Sequence, residues 1–126
     1  MKTIIYTDKA PEPIGPYSQA VQTGNLLFIS GQIPVDPKSN QVVAGTVADE
    51  AKQVMENLEA LLLKAGFSFQ DVVKTTIFLR DMNHFAEVNE VYGAYFPKEF
   101  PARETVAVLG LPKNVNVEIS LIASKG

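Results

Sequence analysis

The sequence has no cysteine, no tryptophan, one histidine and only two arginines among its 126 residues. Without cysteine, a disulfide framework, a thiolate metal site and a cysteine nucleophile are all excluded. The lone histidine, His84, excludes a multi-histidine metal site and a second catalytic imidazole within one chain. Any site that grips a carboxylate through a planar guanidinium fork must use Arg80 or Arg103.

Excess positive charge and long apolar runs are also missing. The formal net charge is −3, which gives no electrostatic footprint for binding nucleic acid. The longest apolar runs, such as residues 26–29, are too short for a signal peptide or a membrane span. We therefore expect a cytoplasmic protein with no nucleic-acid or membrane partner. The length and the 46% apolar composition predict one globular domain over residues 1–126.

Hydrophobic periodicity predicts strands towards both ends of the chain and two helices in its middle. Thr46 and Asp49 form a capping pattern at the start of the first helix, and Gly66 fits its end. The second helix is predicted over residues 83–96, before Pro97. The predicted strands are residues 3–7, 18–22, 26–30, 72–79, 104–109 and 115–123.

This order of elements predicts an α+β fold with both helices on one face of a sheet. The last strand alternates apolar residues with a set that contains Glu118, so one face should cover the helices. The other face is not fully polar. We expect it to carry Val106, Val108 and Ile122, together with Leu27 and Ile29, and to be buried by oligomerisation.

Two charged residues stand out as candidates for chemistry. Arg103 lies at the start of a strand, where it suits a bidentate clamp for a carboxylate or, more commonly, a surface ion pair. Glu118 lies in the middle of a strand, where it suits a general base or, more commonly, a solvent-facing charge. Tyr17 follows a stretch with three prolines that is able to hold it rigidly. The sequence contains no phosphate loop, nucleophile elbow or metal motif.

Considered together, four ordered segments resemble the Rid (YjgF) family of reactive intermediate deaminases over essentially the whole chain. The segment with Arg103 and Glu118 at their observed separation is the most specific. The four segments are residues 10–19, residues 30–34, residues 85–92, and residues 101–119 with its Pro-Ala-Arg, Leu-Pro-Lys and Val-Glu-Ile motifs.

The resemblance implies a chorismate-mutase-like fold, in which a mixed β-sheet carries two helices on one face. It also implies a homotrimer with a central β-barrel and active sites between subunits. The implied activity is that of a 2-iminobutanoate/2-iminopropanoate deaminase, a hydrolase acting on C=N bonds. Such enzymes convert 2-imino acids, or their enamine tautomers released by pyridoxal-phosphate dehydratases, into 2-keto acids and ammonia. No metal or organic cofactor is implied.

The resemblance also assigns roles to individual residues. Arg103 would pair with the substrate carboxylate, Glu118 would position or activate water, and Tyr17 would orient the substrate. The residues implied to line the pocket are Ser30, Gly31, Asn89 and Thr105. Two positions depart from the family pattern. Thr105 stands where close relatives often have cysteine, and Glu104 stands where a small residue is commoner.

Two other functions remain open at this stage. A regulatory trimer would bind keto acids or other carboxylates in the same clefts without turnover. A ribonuclease or translation inhibitor, a role attributed to some relatives, is disfavoured because the chain has no basic stripe and no run of aromatic residues for stacking on bases.

Overall fold

A computed structural model describes residues 1–126 as one mixed sheet, a small hairpin and two helices. The two helices are α1 (Val47–Lys64) and α2 (Phe85–Gly93). The strands are β1 (Lys2–Ile5), β2 (Ala20–Thr23), β3 (Leu26–Gln32), β4 (Val35–Asp36), β5 (Gln41–Val42), β6 (Val72–Leu79), β7 (Ala102–Ala107) and β8 (Val117–Ser124).

Six strands form the main sheet in the order β1-β2-β3-β8-β6-β7, and β4 pairs with β5 separately. All neighbours in the main sheet are antiparallel except β6 and β7, which are parallel. The parallel pair follows from the connection, because α2 carries the chain from the end of β6 back to the start of β7. Both helices contribute to one core with one face of the sheet, which confirms the predicted α+β class.

The first helix begins and ends where local signals predict. The Thr46 side chain accepts a hydrogen bond from the Asp49 N–H, and the Asp49 side chain accepts one from the Thr46 N–H. This reciprocal capping box satisfies donors that the first turn leaves free. At the other end, Gly66 has a φ of 83°, a left-handed conformation that glycine adopts without a Cβ penalty.

Alternation along β8 separates the core from the other face of the sheet. Val117, Ile119, Leu121 and Ala123 are buried against the helices, whereas Glu118 and its same-face neighbours are half-buried. A period of two is what a strand requires when only one face is covered. We call the side away from the helices the open face.

The open face differs from the prediction in one respect. Leu27 and Ile29 were expected there, but both are buried in the core, and Leu26 and Phe28 are the exposed residues of β3. Strand pairing explains the difference, since Leu27 pairs with buried Ala123 and so shares its face. The expected apolar character of the open face remains, because the exposed hydrophobic residues include Ile4, Leu26, Phe28 and Val106.

The second helix is shorter than predicted. A 3₁₀ turn over Met82–His84 precedes α2, and α2 ends at Gly93 rather than continuing to Phe96. Residues 94–96 form i→i−3 backbone hydrogen bonds instead. No helix in the structure is both long and apolar enough to cross a membrane.

Candidate functional site

The proline-containing loop at residues 10–17 is held by one buried amide, Gln19. Its Nε2 donates to the carbonyl oxygens of Thr7, Ala10 and Pro11 at 2.9–3.2 Å, and its Oε1 accepts the Thr7 N–H at 2.9 Å. These contacts fix a segment that cannot form regular secondary structure of its own. The loop therefore presents Tyr17 from a stable base, as its sequence predicts.

Tyr17 and Glu118 line the same cleft on the open side of the sheet. Residues from the proline-containing loop, from β3 and from the turn before β8 enclose it. We call this the glutamate cleft, and its lining residues are Ile14, Tyr17, Ser30, Gly31, Ile33, Pro112 and Glu118. Four of the residues predicted to form the site therefore lie together: Tyr17, Ser30, Gly31 and Glu118.

Contacts within the glutamate cleft are specific. The Tyr17 hydroxyl accepts the Ile14 N–H at 3.2 Å, and the Ser30 hydroxyl donates to the Ser18 carbonyl at 2.6 Å. Gly31 lies directly against Glu118, because a Cβ at position 31 would be 2.1 Å from Glu118 Oε2. Only a residue without a side chain permits this approach.

The Glu118 carboxylate is partly removed from water, although glutamate side chains are mostly exposed. Partial burial raises its pKa above the ordinary value, because the charged form loses hydration and gains no hydrogen bond from another side chain. A carboxylate with a raised pKa is a stronger proton acceptor than one free in water. Such a group suits general-base chemistry on a neighbouring water molecule.

Arg103 lies in a second cleft, which we call the arginine cleft. It is lined by Asn89, Tyr92, Gly93, Phe100, Pro101 and Arg103. The Arg103 guanidinium donates to Asn89 Oδ1 at 2.6 Å, and its carbon lies 5.0 Å from the Tyr92 ring centroid and 5.6 Å from that of Phe85.

One side of α2 thus orients the arginine, since residues 85, 89 and 92 recur at helical spacing. Tyr92 is itself fixed by a 2.8 Å hydrogen bond between its hydroxyl and that of buried Thr75. Burial raises the pKa of Tyr92, so its hydroxyl stays protonated over a wide pH range.

The two clefts of one chain lie on opposite faces of the sheet. Arg103 pairs with Thr75 on the helix side, whereas Glu118 pairs with Phe78 on the open face. Thr75 and Phe78 are three residues apart on one strand, so their side chains point in opposite directions. Within a single chain, Arg103 and Glu118 therefore cannot address the same small molecule.

Three further polar residues were singled out in the sequence. Thr105 lies on the same side of β7 as Arg103, and its hydroxyl is buried without a hydrogen-bond partner. Glu104 points to the open face, where its carboxylate lies 3.2 Å from Lys74 Nζ and accepts a hydrogen bond from Thr76. Lys74 holds the pKa of Glu104 below its ordinary value. His84 is half-buried, and its Nδ1 has no hydrogen-bond partner.

Sequence reasoning missed two residues that hold the clefts in place. Gln19 gave no signal beyond its place in the Tyr-Ser-Gln segment, because a buried amide is not distinguishable from an exposed one in sequence. Tyr92 lies in the family segment over residues 85–92, but its contact with Arg103 depends on tertiary packing, which the segment does not show. The structure contains no cluster of three or more His, Asp or Glu side chains that is able to hold a metal ion.

Two solved structures share this α+β architecture over nearly their whole length. A crystal structure of a Thermotoga maritima protein superposes with a TM-score of 0.97 at 53% identity, covering 100% of this chain and 99% of that chain. Escherichia coli TdcF with bound serine superposes with a TM-score of 0.94 at 43% identity, covering 98% and 99% of the two chains.

A mouse protein named 2-iminobutanoate/2-iminopropanoate deaminase is 50% identical over 126 residues, which is 100% of this chain and 93% of the mouse protein. The family model described as Endoribonuclease L-PSP matches residues 7–125. The chain belongs to this family, which is also known as the Rid or YjgF family.

Proposed function

We propose that the protein is a cytoplasmic 2-iminobutanoate/2-iminopropanoate deaminase that hydrolyses 2-imino acids to 2-keto acids and ammonia without a cofactor. The observation that carries this proposal is the presence of a half-buried Glu118 with a raised pKa and a pre-oriented Arg103 in one chain of the Rid family. Relatives at about half identity that are named as deaminases support it.

Arg103 provides the substrate anchor. Its guanidinium is held by Asn89 on one side and by aromatic rings on another, which leaves N–H donors for a carboxylate. A planar fork fixed in this way selects 2-imino acids over imines that lack a carboxylate. Serine bound to TdcF is an amino acid with the same carboxylate group.

Glu118 provides the base. A protonated imine is already an electrophile, so the reaction needs a positioned water molecule and an acceptor for its proton. Glu118 takes that proton as the water oxygen bonds to the C=N carbon. It returns the proton to the nitrogen of the resulting carbinolamine. The C–N bond then breaks to release ammonia while the carbinolamine hydroxyl gives its proton to Glu118, which leaves the keto group, and the Glu118 carboxyl passes this proton to the ammonia. Tyr17 forms a wall of the cleft and orients the substrate.

We further propose that a complete site forms between two copies, with Arg103 from one and Glu118 from the other. The placement of these residues on opposite faces of one sheet supports this arrangement. The apolar residues of the open face support the homotrimer with a central barrel that the family resemblance implies, since burial in an assembly removes them from water.

The test is a competitive trapping assay. 2-Iminobutanoate is generated in place by an amino-acid-degrading enzyme, and semicarbazide captures whatever imine remains. We expect the protein to raise the yield of free keto acid and to lower the yield of semicarbazone. We expect Arg103→Ala to abolish the effect.

An unchanged partition between keto acid and semicarbazone with folded wild-type protein would contradict the deaminase. Binding of 2-ketobutanoate that is lost in Arg103→Ala, without any acceleration, would instead support the regulatory, non-catalytic alternative. Melting temperatures of both proteins are measured in parallel, so that loss of the fold is not mistaken for loss of the site.

A further inference from the structure

The segment that leads into β8 is strained and lies against the glutamate cleft. Lys113 and Asn114 have φ values of 56° and 61°, in the left-handed region that disfavours residues with a Cβ. Pro112, just before them, lines the cleft beside Glu118. A backbone held in this conformation must be fastened by contacts elsewhere in the fold.

Two charged residues outside the clefts fasten this segment. The Arg80 guanidinium donates to the Asn114 carbonyl at 2.9 Å, and the Arg80 N–H donates to the Asn116 carbonyl at 3.1 Å. From the other side, Glu50 Oε1 accepts the Asn116 N–H at 2.9 Å and Glu50 Oε2 accepts the Asn116 side-chain amide at 2.7 Å. Asn116 is therefore held through its backbone and its side chain together.

Glu50 is unusual because it is a charged residue with only 7% of its surface exposed. Charged side chains are seldom buried to this extent unless they are paired or hydrogen-bonded. It lies in the first turn of α1, where the helix dipole favours a negative charge, and both of its oxygens are used on one residue. Nothing in the chemistry proposed for the clefts involves this carboxylate.

We propose that Glu50 is a positioning residue for Glu118, acting through Asn116, an inference that rests on the proposed deaminase function. Asn116 is two residues before Glu118, and no side-chain hydrogen bond fixes the Glu118 carboxylate. The position of the Glu118 carboxylate in the glutamate cleft depends on where the backbone enters β8 at Asn116. By holding Asn116, Glu50 sets that point and keeps Pro112 against the cleft.

The perturbation is Glu50→Gln, which has nearly the same shape. A glutamine at this position accepts only one of the two Asn116 hydrogen bonds, and its amide would face a second donor. We expect kcat to fall about tenfold or more, since a displaced catalytic group loses rate steeply with distance. KM should stay within about twofold, because the arginine cleft is unchanged.

A paired substitution separates positioning from mere stability. In Glu50→Gln/Asn116→Asp, the introduced amide donates to the introduced carboxylate, while its oxygen still accepts the backbone N–H of position 116. We expect this double variant to recover most of kcat. The matched control is Leu62→Ala, a buried position at the far end of α1, which should lower the melting temperature and leave kcat unchanged.

The outcomes are distinct. A Glu50→Gln variant that melts earlier but keeps the wild-type kcat overturns the inference, as does a double variant that recovers stability without recovering kcat. If wild-type protein shows no turnover, the proposed function fails, and hydrogen exchange then tests the positioning alone. Faster amide exchange at residues 114–118 in Glu50→Gln, slowed again in the double variant, supports it, and unchanged exchange overturns it.

Discussion

Gly31 gives the sharpest quantitative test of the glutamate cleft. A Cβ at this position would be 2.1 Å from Glu118 Oε2, whereas ordinary contacts begin at 3.4 Å. Gly31→Ala therefore displaces the carboxylate oxygen by about 1.3 Å, the difference between these two distances. Because Glu118 is a flexible side chain with room in an open cleft, the displacement should cost little stability.

A displacement of about 1 Å at a reacting group costs on the order of 100-fold in rate. We therefore expect kcat of Gly31→Ala to fall about 100-fold in the trapping assay, which corresponds to about 2.7 kcal/mol. The matched control is Gly110→Ala, where nothing lies within 4 Å of the added Cβ, and it should leave kcat unchanged.

The same change in a second background shows whether Glu118 carries the effect. In Glu118→Gln protein the base is already absent, so adding Gly31→Ala should lower the residual rate little further. Wild-type kcat in Gly31→Ala would refute the placement of Glu118 as the base. A full additional 100-fold loss in the Glu118→Gln background would refute the mechanism by which Gly31 acts.

Three further expectations concern the anchor, the base and the loop. Arg103→Lys loses the planar fork, so KM should rise about tenfold with a smaller change in kcat, measured by initial rates. Because burial raises the pKa of Glu118, kcat should fall on the acid side with a midpoint above 4.5, and Glu118→Gln should show no such midpoint. The raised pKa of Glu118 also means that the free energy of unfolding decreases as pH rises from 4.5 through the folded-state pKa of this carboxyl. Denaturant titrations of the wild type and of Glu118→Gln should resolve this difference. Gln19→Ala removes four hydrogen bonds, two with Thr7 and two with the proline-containing loop, so we expect a loss of about 3 kcal/mol in the free energy of unfolding. An unchanged denaturation midpoint would contradict the anchoring role.

Local signals predicted the secondary structure well where they are strong. The capping box at Thr46 and the glycine after α1 place that helix correctly, and the β-branched run over residues 72–79 matches β6 residue for residue. The second helix was predicted too long because its apolar stripe continues through Tyr95 and Phe96. These rings instead pack with Phe69 after the helix has ended.

The faces of the sheet required knowledge of strand register. Leu27 and Ile29 are apolar and alternate with Leu26 and Phe28, which are apolar too, so composition gives no preference between the two sets. The pairing of Leu27 with Ala123 decides which set is buried. A register of this kind depends on long-range contacts that the local pattern does not encode.

The candidate site was predictable as a set of residue types rather than as an arrangement. Arginine scarcity and the family motifs identified Arg103, and the structure gives it oriented partners on α2. That Arg103 and Glu118 face opposite ways follows only from the pairing of β6 with both β7 and β8. The roles of Gln19 and Glu50 depend on burial, which sequence alone does not report for polar residues.

The central claim is that Arg103 of one copy and Glu118 of another form one site. The most direct measurement mixes Arg103→Ala and Glu118→Gln proteins, each strongly impaired alone, after dissociating and reassembling them together. In an equal mixture, each interface has a chance of about one half of receiving an intact Arg103 and about one half of receiving an intact Glu118. About a quarter of the interfaces then hold both residues, so about a quarter of wild-type activity should return. If the reassembled mixture has the same size as the wild type but no activity, the shared site is contradicted.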